Sequence, residues 1–193
     1  MGGGAMDTPS QWPVLAGAPW RARARCEIVG TVVQFYGSSL RPWPREMLLG
    51  FEMPDDVRDF LAESGLPLDP GLPLVRFLGP PLHWRREGLQ RLLVVGSDEG
   101  TELRMREGSA EIVSARPFGA GAARFVNSTA VELLDCLRQY AERREDLRHA
   151  DDEGALNIAS DLRAGIAAVD PLALEHPGTW WSRVLDRVEA GFE

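Results

Sequence analysis

The feature that most constrains the fold is a series of short strand-like segments that is followed by helical segments alone. Residues 92–95 are apolar, residues 101–106 alternate between apolar and polar, and residues 110–114 form a third short run. Residues 96–100 and 107–109 between them have the glycine and polar composition of turns. Together they predict an antiparallel meander with one buried face.

Alternation within residues 101–106 predicts which side chains face the core. Leu103 and Met105 should point inward, and Glu102, Arg104 and Arg106 should point outward. Upstream, residues 26–36 are rich in β-branched side chains, which predicts a strand pair or one strand bent at Gly30. Residues 66–82 contain five prolines and should be mostly loop or edge strand.

Helix signals flank the meander. Pro54 suits a first helical position and Gly65 a C-terminal cap, with Val57, Phe60 and Leu61 on the buried face between them. Three helices should follow the meander. The first opens with a capping box at Thr129–Glu132, the second covers residues 155–169, and the third begins near Thr179. The buried side of the second should carry Leu156, Ala159, Leu162, Ile166 and Val169.

Strands followed by helices, without strand–helix alternation, predict an α+β fold with a central, mostly antiparallel sheet and packed helices. The 193 residues suit one domain. Residues 1–25 are rich in Gly, Ala, Pro and Trp without any period, so we expect a loose N-terminal arm there and a single domain over residues 26–193.

Acidic charge is concentrated in the second half of the chain. Residues 1–97 carry 10 acidic side chains and 10 Arg, whereas residues 98–193 carry 19 acidic side chains and 11 Arg. An acidic surface argues against direct nucleic-acid binding, because phosphates would be repelled. It favours a basic partner, and an equally good interpretation is that the charge serves solubility alone.

No recognisable catalytic motif is present: there is no phosphate-binding Walker loop, nucleophile elbow, HExxH or Cys-x-x-Cys. His149 lies beside the acidic residues 151–153, but that spacing matches no zinc or calcium pattern, so a solvated turn is the favoured interpretation. We therefore expect no enzyme activity, no metal and no cofactor. Cys26 and Cys136 suggest buried, reduced thiols. No signal peptide or membrane span is expected either, which favours the cytoplasm.

Trp180 and Trp181 are adjacent, so on a helix their side chains point about 100° apart. Core packing of both is the favoured interpretation. The alternative is that one enters the core while the other lies at its rim or anchors a partner.

Several short motifs, in a particular order, carry a family resemblance. They are Gly65-Leu66-Pro67, Val94-Val95-Gly96-Ser97-Asp98, Phe125-Val126-Asn127-Ser128, Asp170-Pro171-x-Ala173-Leu174 and Trp180-Trp181. Across residues 50–190 the chain resembles the fourth subfamily of the SUKH superfamily, mostly immunity proteins of bacterial polymorphic toxin systems. The resemblance implies a SUKH-like α+β fold and a non-enzymatic protein that binds a cognate toxin, often a nuclease, inside the producing cell.

Because a nuclease needs a basic groove for its substrate, the candidate toxin-binding residues are acidic. They are Asp98, Glu99, Glu145, Asp146, Asp151, Asp152 and Glu153. Asn127 and Ser128 should be structural, with side chains that satisfy backbone N–H groups where a strand meets a helix. A regulatory or scaffold module that binds a protein other than a toxin remains the alternative function, and the oligomeric state is open.

Overall fold

A computed structural model describes residues 19–68, 74–117 and 122–191 of the chain, with side chains described from residue 26 onward. Six α-helices occupy these residues: α1 (Pro19–Tyr36), α2 (Arg45–Leu48), α3 (Asp55–Glu63), α4 (Ala130–His149), α5 (Asp152–Val169) and α6 (Trp180–Glu189). Two short 3-10 turns cover Gly37–Ser39 and Pro171–Leu174.

The strands form two antiparallel sheets. The smaller sheet pairs β1 (Leu40–Arg41) with β2 (Leu66–Pro67). The larger contains β3 (Arg76–Phe77), β4 (His83–Glu87), β5 (Gln90–Asp98), β6 (Thr101–Arg106), β7 (Ile112–Ala115) and β8 (Arg124–Asn127). Its order is β3–β5–β6–β7–β8, and β4 also pairs with β5. The predicted meander is thus the centre of this sheet, and the α+β fold class is confirmed.

Helices cover one face of the larger sheet. Leu103 and Met105 of β6 are fully buried in the same apolar cluster as Leu133 and Leu137 of α4, as the alternation predicted. This cluster supplies most of the hydrophobic driving force for folding, because burying each such side chain is worth roughly 1.5–3 kcal/mol.

Helix α1 overturns the strand predicted for residues 26–36. Val32 and Tyr36, four residues apart on one side of the helix, are buried, and the Tyr36 hydroxyl donates a hydrogen bond to the backbone oxygen of Leu134 (3.2 Å). Packing against α4 therefore outweighs the β preference of the branched residues. Cys26, predicted to be buried, is exposed, whereas Cys136 is buried as predicted.

The start of α1 lies within residues 1–25, where the sequence predicted a loose N-terminal arm. The helix begins at Pro19, so residues 19–25 are helical rather than loose. Residues 1–18 of that arm lie outside the described residues.

On the other face of the sheet, Arg104 differs from expectation. Its side chain lies opposite the helical core, as alternation requires, yet it is only 2% exposed. The guanidinium donates to the carboxylates of Glu87 and Glu102 and to the backbone oxygen of Arg116. Burial of this charge is tolerable because its donors are paired.

Helix α3 begins one residue later than predicted, because Pro54 is its N-cap and Asp55 its first residue, whereas Gly65 lies at its C-terminal end as predicted. Pro54 precedes the helix, and Gly65 follows it with φ of +75°. A Cβ on Gly65 would lie 1.7 Å from the carbonyl oxygen of Arg41, so the closeness of β1 and β2 demands glycine here.

In α5, Ala159, Leu162 and Ile166 are buried as predicted, but Leu156 is exposed. The helix begins at Asp152, and Ala155 occupies the buried position of its first turns. Leu156 is rotated by about 100° from Ala155, so it lies off the buried face formed by Ala155, Ala159, Leu162 and Ile166.

Candidate partner-binding site

A cleft of about 450 Å³ lies between the β5–β6 hairpin, the start of β8 and α6. The side chains that line it fall into a buried set and a more exposed set. The buried set, which forms the floor, is Asp98, Trp180 and Val184. The rim carries charged side chains of both signs: Arg124, Arg183, Arg187, Glu99 and Asp186.

The hairpin turn positions Asp98 at the floor of the cleft. Asp98 pairs with Thr101 across a two-residue turn in which Glu99 and Gly100 both have positive φ, 35° and 90°. Such turns match the twist of the flanking strands. The Thr101 hydroxyl closes the turn by donating to the backbone oxygen of Asp98 (2.9 Å). The turn predicted for residues 96–100 is therefore confirmed at residues 99–100 but is wrong for residues 96–98, because β5 continues to Asp98 through its pairing with β6.

Asp98 is a buried carboxylate with one satisfied oxygen. Its Oδ2 accepts a hydrogen bond from Nε1 of Trp180 (2.5 Å), whereas Oδ1 is buried and has no donor among the described residues. Burial raises the pKa of Asp98, opposed by the hydrogen bond from Trp180. Glu99, next to it, is exposed and pairs with Arg187 of α6 (2.7 Å).

A buried polar network anchors α6 beneath the cleft. Nε1 of Trp181 donates to Oδ1 of Asn127 (2.8 Å), and Nδ2 of Asn127 donates to Oδ2 of Asp170 (3.0 Å). The Ser128 backbone N–H and hydroxyl also donate to Asp170 (2.7 and 2.9 Å). The predicted role of Asn127 and Ser128 in binding backbone N–H groups is therefore wrong. Thr129 instead caps α4, accepting from the N–H of Val131.

Both tryptophans pack in the core. Trp180 is 4% and Trp181 is 0% exposed, and their rings meet edge to face with centroids 4.8 Å apart. This confirms the interpretation that both are core residues. Each indole N–H is satisfied by a different buried acceptor, as buried tryptophans require.

The other five candidate acids lie where α4 ends and α5 begins. We call this group the acidic turn: Glu145, Asp146, Asp151, Asp152 and Glu153, all exposed. Asp151 caps α5, because its Oδ1 accepts from the N–H of Gly154 (2.9 Å). Asp152 and Glu153 follow in the first turn of α5, where negative charge is favoured by the helix dipole.

Basic side chains neutralise part of the acidic turn. Arg148 donates to Glu145 (3.1 Å), and the His149 ring lies 3.2 Å from the same carboxylate. Hydrogen bonds to His149 and Arg148 lower the pKa of Glu145. Arg143 lies 3.9 Å from Asp146. Asp152 and Glu153 have no side-chain partner among the described residues, and Asp151 accepts only a backbone N–H, so these three carboxylates keep their charge unneutralised.

The acidic turn and the Asp98–Glu99 hairpin are separate places on the molecule. Glu99 is tied to α6, and α6 meets α5 where Arg163 donates to Glu189 (2.7 Å). Arg163 lies about 16 Å of helical rise from Asp152. The seven candidate acids thus form two groups.

Within the described parts of the chain, no group of three or more His, Cys, Asp or Glu side chains is placed to hold a metal ion. Over the same residues, no helix is long and apolar enough to cross a membrane.

Sequence reasoning missed the arginines at the rim of the cleft. Arg124 opens β8 and Arg183 lies one turn into α6, 59 positions away along the chain, and nothing in the local pattern of either links them. The signals that the sequence offered near this place were the candidate acids Asp98 and Glu99 and the adjacent tryptophans.

An antiparallel sheet covered by helices on one face, with a cleft lined by charged side chains beside it, defines the chain as an α+β domain. A family model of SUKH-4 immunity proteins matches residues 35–187, so the chain belongs to the SUKH-4 immunity protein family. The resemblance drawn from the ordered motifs is thereby confirmed, and the match begins earlier than residue 50. No curated protein and no solved structure matches the chain.

Proposed function

We propose that this chain neutralises a cognate toxin, in many such systems a nuclease, by binding it stoichiometrically in the cytoplasm of the producing cell, without turnover. Membership of the SUKH-4 immunity protein family carries the proposal. The net charge of −8 is consistent with a toxin that has a basic surface.

We further propose that the acidic turn contacts the toxin. Asp152 and Glu153 carry exposed carboxylates without side-chain partners among the described residues, and Glu145 and Asp146 add charge around them. Asp151 contributes charge but is held as the cap of α5. A protruding group of carboxylates attracts a basic groove over distances of about one Debye length, roughly 8 Å at physiological salt.

Co-expression tests the neutralisation. The toxin encoded beside this gene should arrest growth when expressed alone, and growth should recover when this chain is produced with it. Persistent arrest would contradict the proposal. Recovery of a housekeeping protein in pull-downs, with no rescue, would favour a regulatory or scaffold module instead.

Binding kinetics test the contact surface. Neutralising Asp152→Asn and Glu153→Gln together should slow association with the purified toxin by about three- to tenfold at low salt, with little difference at high salt. The matched control is Glu63→Gln with Glu175→Gln, which removes the same charge from exposed positions elsewhere. Equal slowing by the two pairs would mean that net charge, and not the acidic turn, steers association.

A further inference from the structure

One edge of the larger sheet leaves backbone groups free to pair. Strand β4 pairs with β5 on one side, and no strand in the described parts of the chain pairs with its other side. A two-residue turn at residues 88 and 89 joins the two strands, so Glu87 and Gln90 form the hydrogen-bonded pair that closes the hairpin. Because backbone groups alternate in direction along a strand, those of Trp84 and Arg86 point away from β5.

Hydrogen bonds in the sheet agree with this alternation. The backbone oxygen of Arg91, opposite Arg86, faces away from β4, because it accepts from the N–H of Glu107 just after β6 (3.1 Å). Between described residues, no backbone hydrogen bond outside the strand ladders involves Trp84 or Arg86. The edge therefore offers two donors and two acceptors to another strand.

The usual devices that block a sheet edge are missing from β4. Such edges are commonly protected by proline, by a bulge or by charged side chains that extend past them. β4 contains no proline, and its register with β5 is unbroken. Its charged residues Arg85 and Glu87 are instead drawn back across the sheet by ion pairs with Glu102 (2.7 Å) and Arg104 of β6. The backbone at this edge is thus accessible.

Charges around β4 nearly cancel, although the whole chain has a net charge of −8. Besides the two ion pairs that hold Arg85 and Glu87, Arg91 of β5 is paired with Glu107 (2.9 Å). Arg86 is exposed and has no ion pair among the described residues. Such an edge does not attract a toxin with a basic surface, and it sets up little repulsion towards a second copy of this chain.

Two β4 strands are complementary when they run antiparallel about a two-fold axis at Arg85. In this register the free backbone groups of Trp84 meet those of Arg86 in the other copy, and the reverse. Trp84 is 37% exposed, and its ring already accepts the guanidinium of Arg91, 5.1 Å from the ring centre. A tryptophan of this kind suits the unpaired Arg86 of the second copy.

Side chains on the other face of the strand fit the same register. His83, which is exposed, lies opposite Glu87 of the second copy. The two Arg85 residues meet at the axis, but each guanidinium is held towards Glu102 of its own copy by two hydrogen bonds (2.7 and 3.2 Å). Repulsion between them is therefore small.

We propose that β4 of one copy pairs with β4 of a second copy, so that the two larger sheets become one continuous sheet across a two-fold axis at Arg85. Four residues supply the backbone hydrogen bonds, so the interface is small and the association is weak, with a dissociation constant on the order of 10–100 μM. This dimer does not depend on the partner of the chain being a toxin.

Sedimentation equilibrium of the full chain tests self-association. The mass should rise with concentration from 21.3 kDa towards twice that value. Arg86→Glu should weaken the dimer by about tenfold or more, because it removes the guanidinium from Trp84 of the other copy. The matched control is Arg76→Glu, the same charge change at an exposed residue of β3, about 20 Å further along this edge. It should have little effect.

Disulfide cross-linking tests the register, in a Cys26→Ser background that removes the exposed native thiol. Arg85→Cys places two thiols at the axis with Cβ atoms about 5 Å apart, so mild oxidation should link the copies. His83→Cys lies on the same strand face, but its two copies are offset by four residues, about 13 Å, and should not be linked.

Three results would overturn the proposal: a mass of 21.3 kDa at all concentrations up to about 500 μM, equal weakening by the two glutamate variants, or equal cross-linking of the two cysteine variants. A monomer whose binding to the toxin is weakened by Arg86→Glu would assign this edge to the toxin instead. Rescue in the co-expression test does not require the dimer, so the two proposals can fail separately.

Discussion

Trp180 donates its indole N–H to the buried carboxylate of Asp98, although the two residues lie 82 positions apart in the chain. This bond joins the tip of the β5–β6 hairpin to the first turn of α6. It also sets the floor of the cleft, so the stability of the domain and the geometry of its candidate binding site depend on the same pair.

Replacing Trp180 with Phe should test that bond. The variant leaves a buried carboxylate without its donor, and we expect the free energy of unfolding to fall by about 2–4 kcal/mol in urea titrations. Trp84→Phe, at an indole that is 37% exposed, is the control and should cost less than about 1 kcal/mol. Equal losses for the two variants would show that the bond to Asp98 contributes nothing specific.

Stability should also depend on the ionisation of Asp98. Because burial raises its pKa in the folded state, the folded protein binds this proton more tightly than the unfolded chain does. The stabilisation that comes from protonating Asp98 is therefore fully present below its pKa in the unfolded chain, about 3.9. It is lost as pH rises through its pKa in the folded protein. Urea titrations from pH 4 to 7 should show the wild type losing stability relative to Asp98→Asn. If the difference in the free energy of unfolding between the wild type and Asp98→Asn did not change with pH, the raised pKa of Asp98 would be contradicted.

Asp170 should be among the most sensitive positions in the chain. Asp170→Ala removes the acceptor for Asn127 and for both donors of Ser128, leaving buried donors unpaired. We expect a loss of about 3–5 kcal/mol in the free energy of unfolding. Asp161→Ala, at an exposed side chain 3.7 Å from Arg143, should change it by less than about 1 kcal/mol. A loss at Asp170 as small as that at Asp161 would rule out a structural role for the network.

Glu102 gives a pH dependence of opposite sign. Burial alone would raise its pKa, but hydrogen bonds from Arg85 and Arg104 outweigh burial and lower it. Because the pKa of Glu102 is lower in the folded protein, its ionised carboxylate stabilises the fold above its pKa in the unfolded chain, about 4.3. This stabilisation is lost as pH falls through its pKa in the folded protein. Glu102→Gln should cost about 2–3 kcal/mol at pH 7 in urea titrations, because Arg104 is buried, and less at pH 3. Glu99→Gln, at an exposed pair, serves as control. If the loss of stability caused by Glu102→Gln grew as the pH was lowered, the lowered pKa of Glu102 would be contradicted.

Asp151 should separate capping from charge in the acidic turn. Asp151→Ala removes the cap of α5 and should cost about 1 kcal/mol, while Asp151→Asn keeps an acceptor for the Gly154 N–H and should cost less than about 0.5 kcal/mol. Thermal unfolding measures both. If Asp151→Asn alone impairs toxin association, the charge of this residue acts in binding. Equal destabilisation by the two variants would indicate that the cap bond is not what Asp151 contributes.

Local pattern predicted the meander well because its signals are short-range. Turn residues at 99–100 and alternation at Leu103 and Met105 depend only on neighbours in the chain, so β6 was located to the residue. The capped starts of α4 and α6 were found for the same reason, since Thr129 and Thr179 bond within three residues of themselves.

Long-range packing decided what local pattern could not. Residues 26–36 have strand-forming composition, yet contact with α4 makes them helical. Arg104 follows the predicted alternation, but only its ion pairs explain why it is buried. The candidate site is harder still, because Asp98, Arg124 and Arg183 meet only after the hairpin, β8 and α6 have packed together.

The sequence by itself determined the α+β class, the order of most elements and, through its ordered motifs, the family. These follow from periodicity, turn chemistry and capping, which act over a few residues. Only the tertiary structure divided the seven acids into a hairpin pair and an acidic turn, and only it brought Arg124 and Arg183 to the same cleft as Asp98. Contacts between residues distant in the chain depend on how whole elements pack, and no local pattern encodes them.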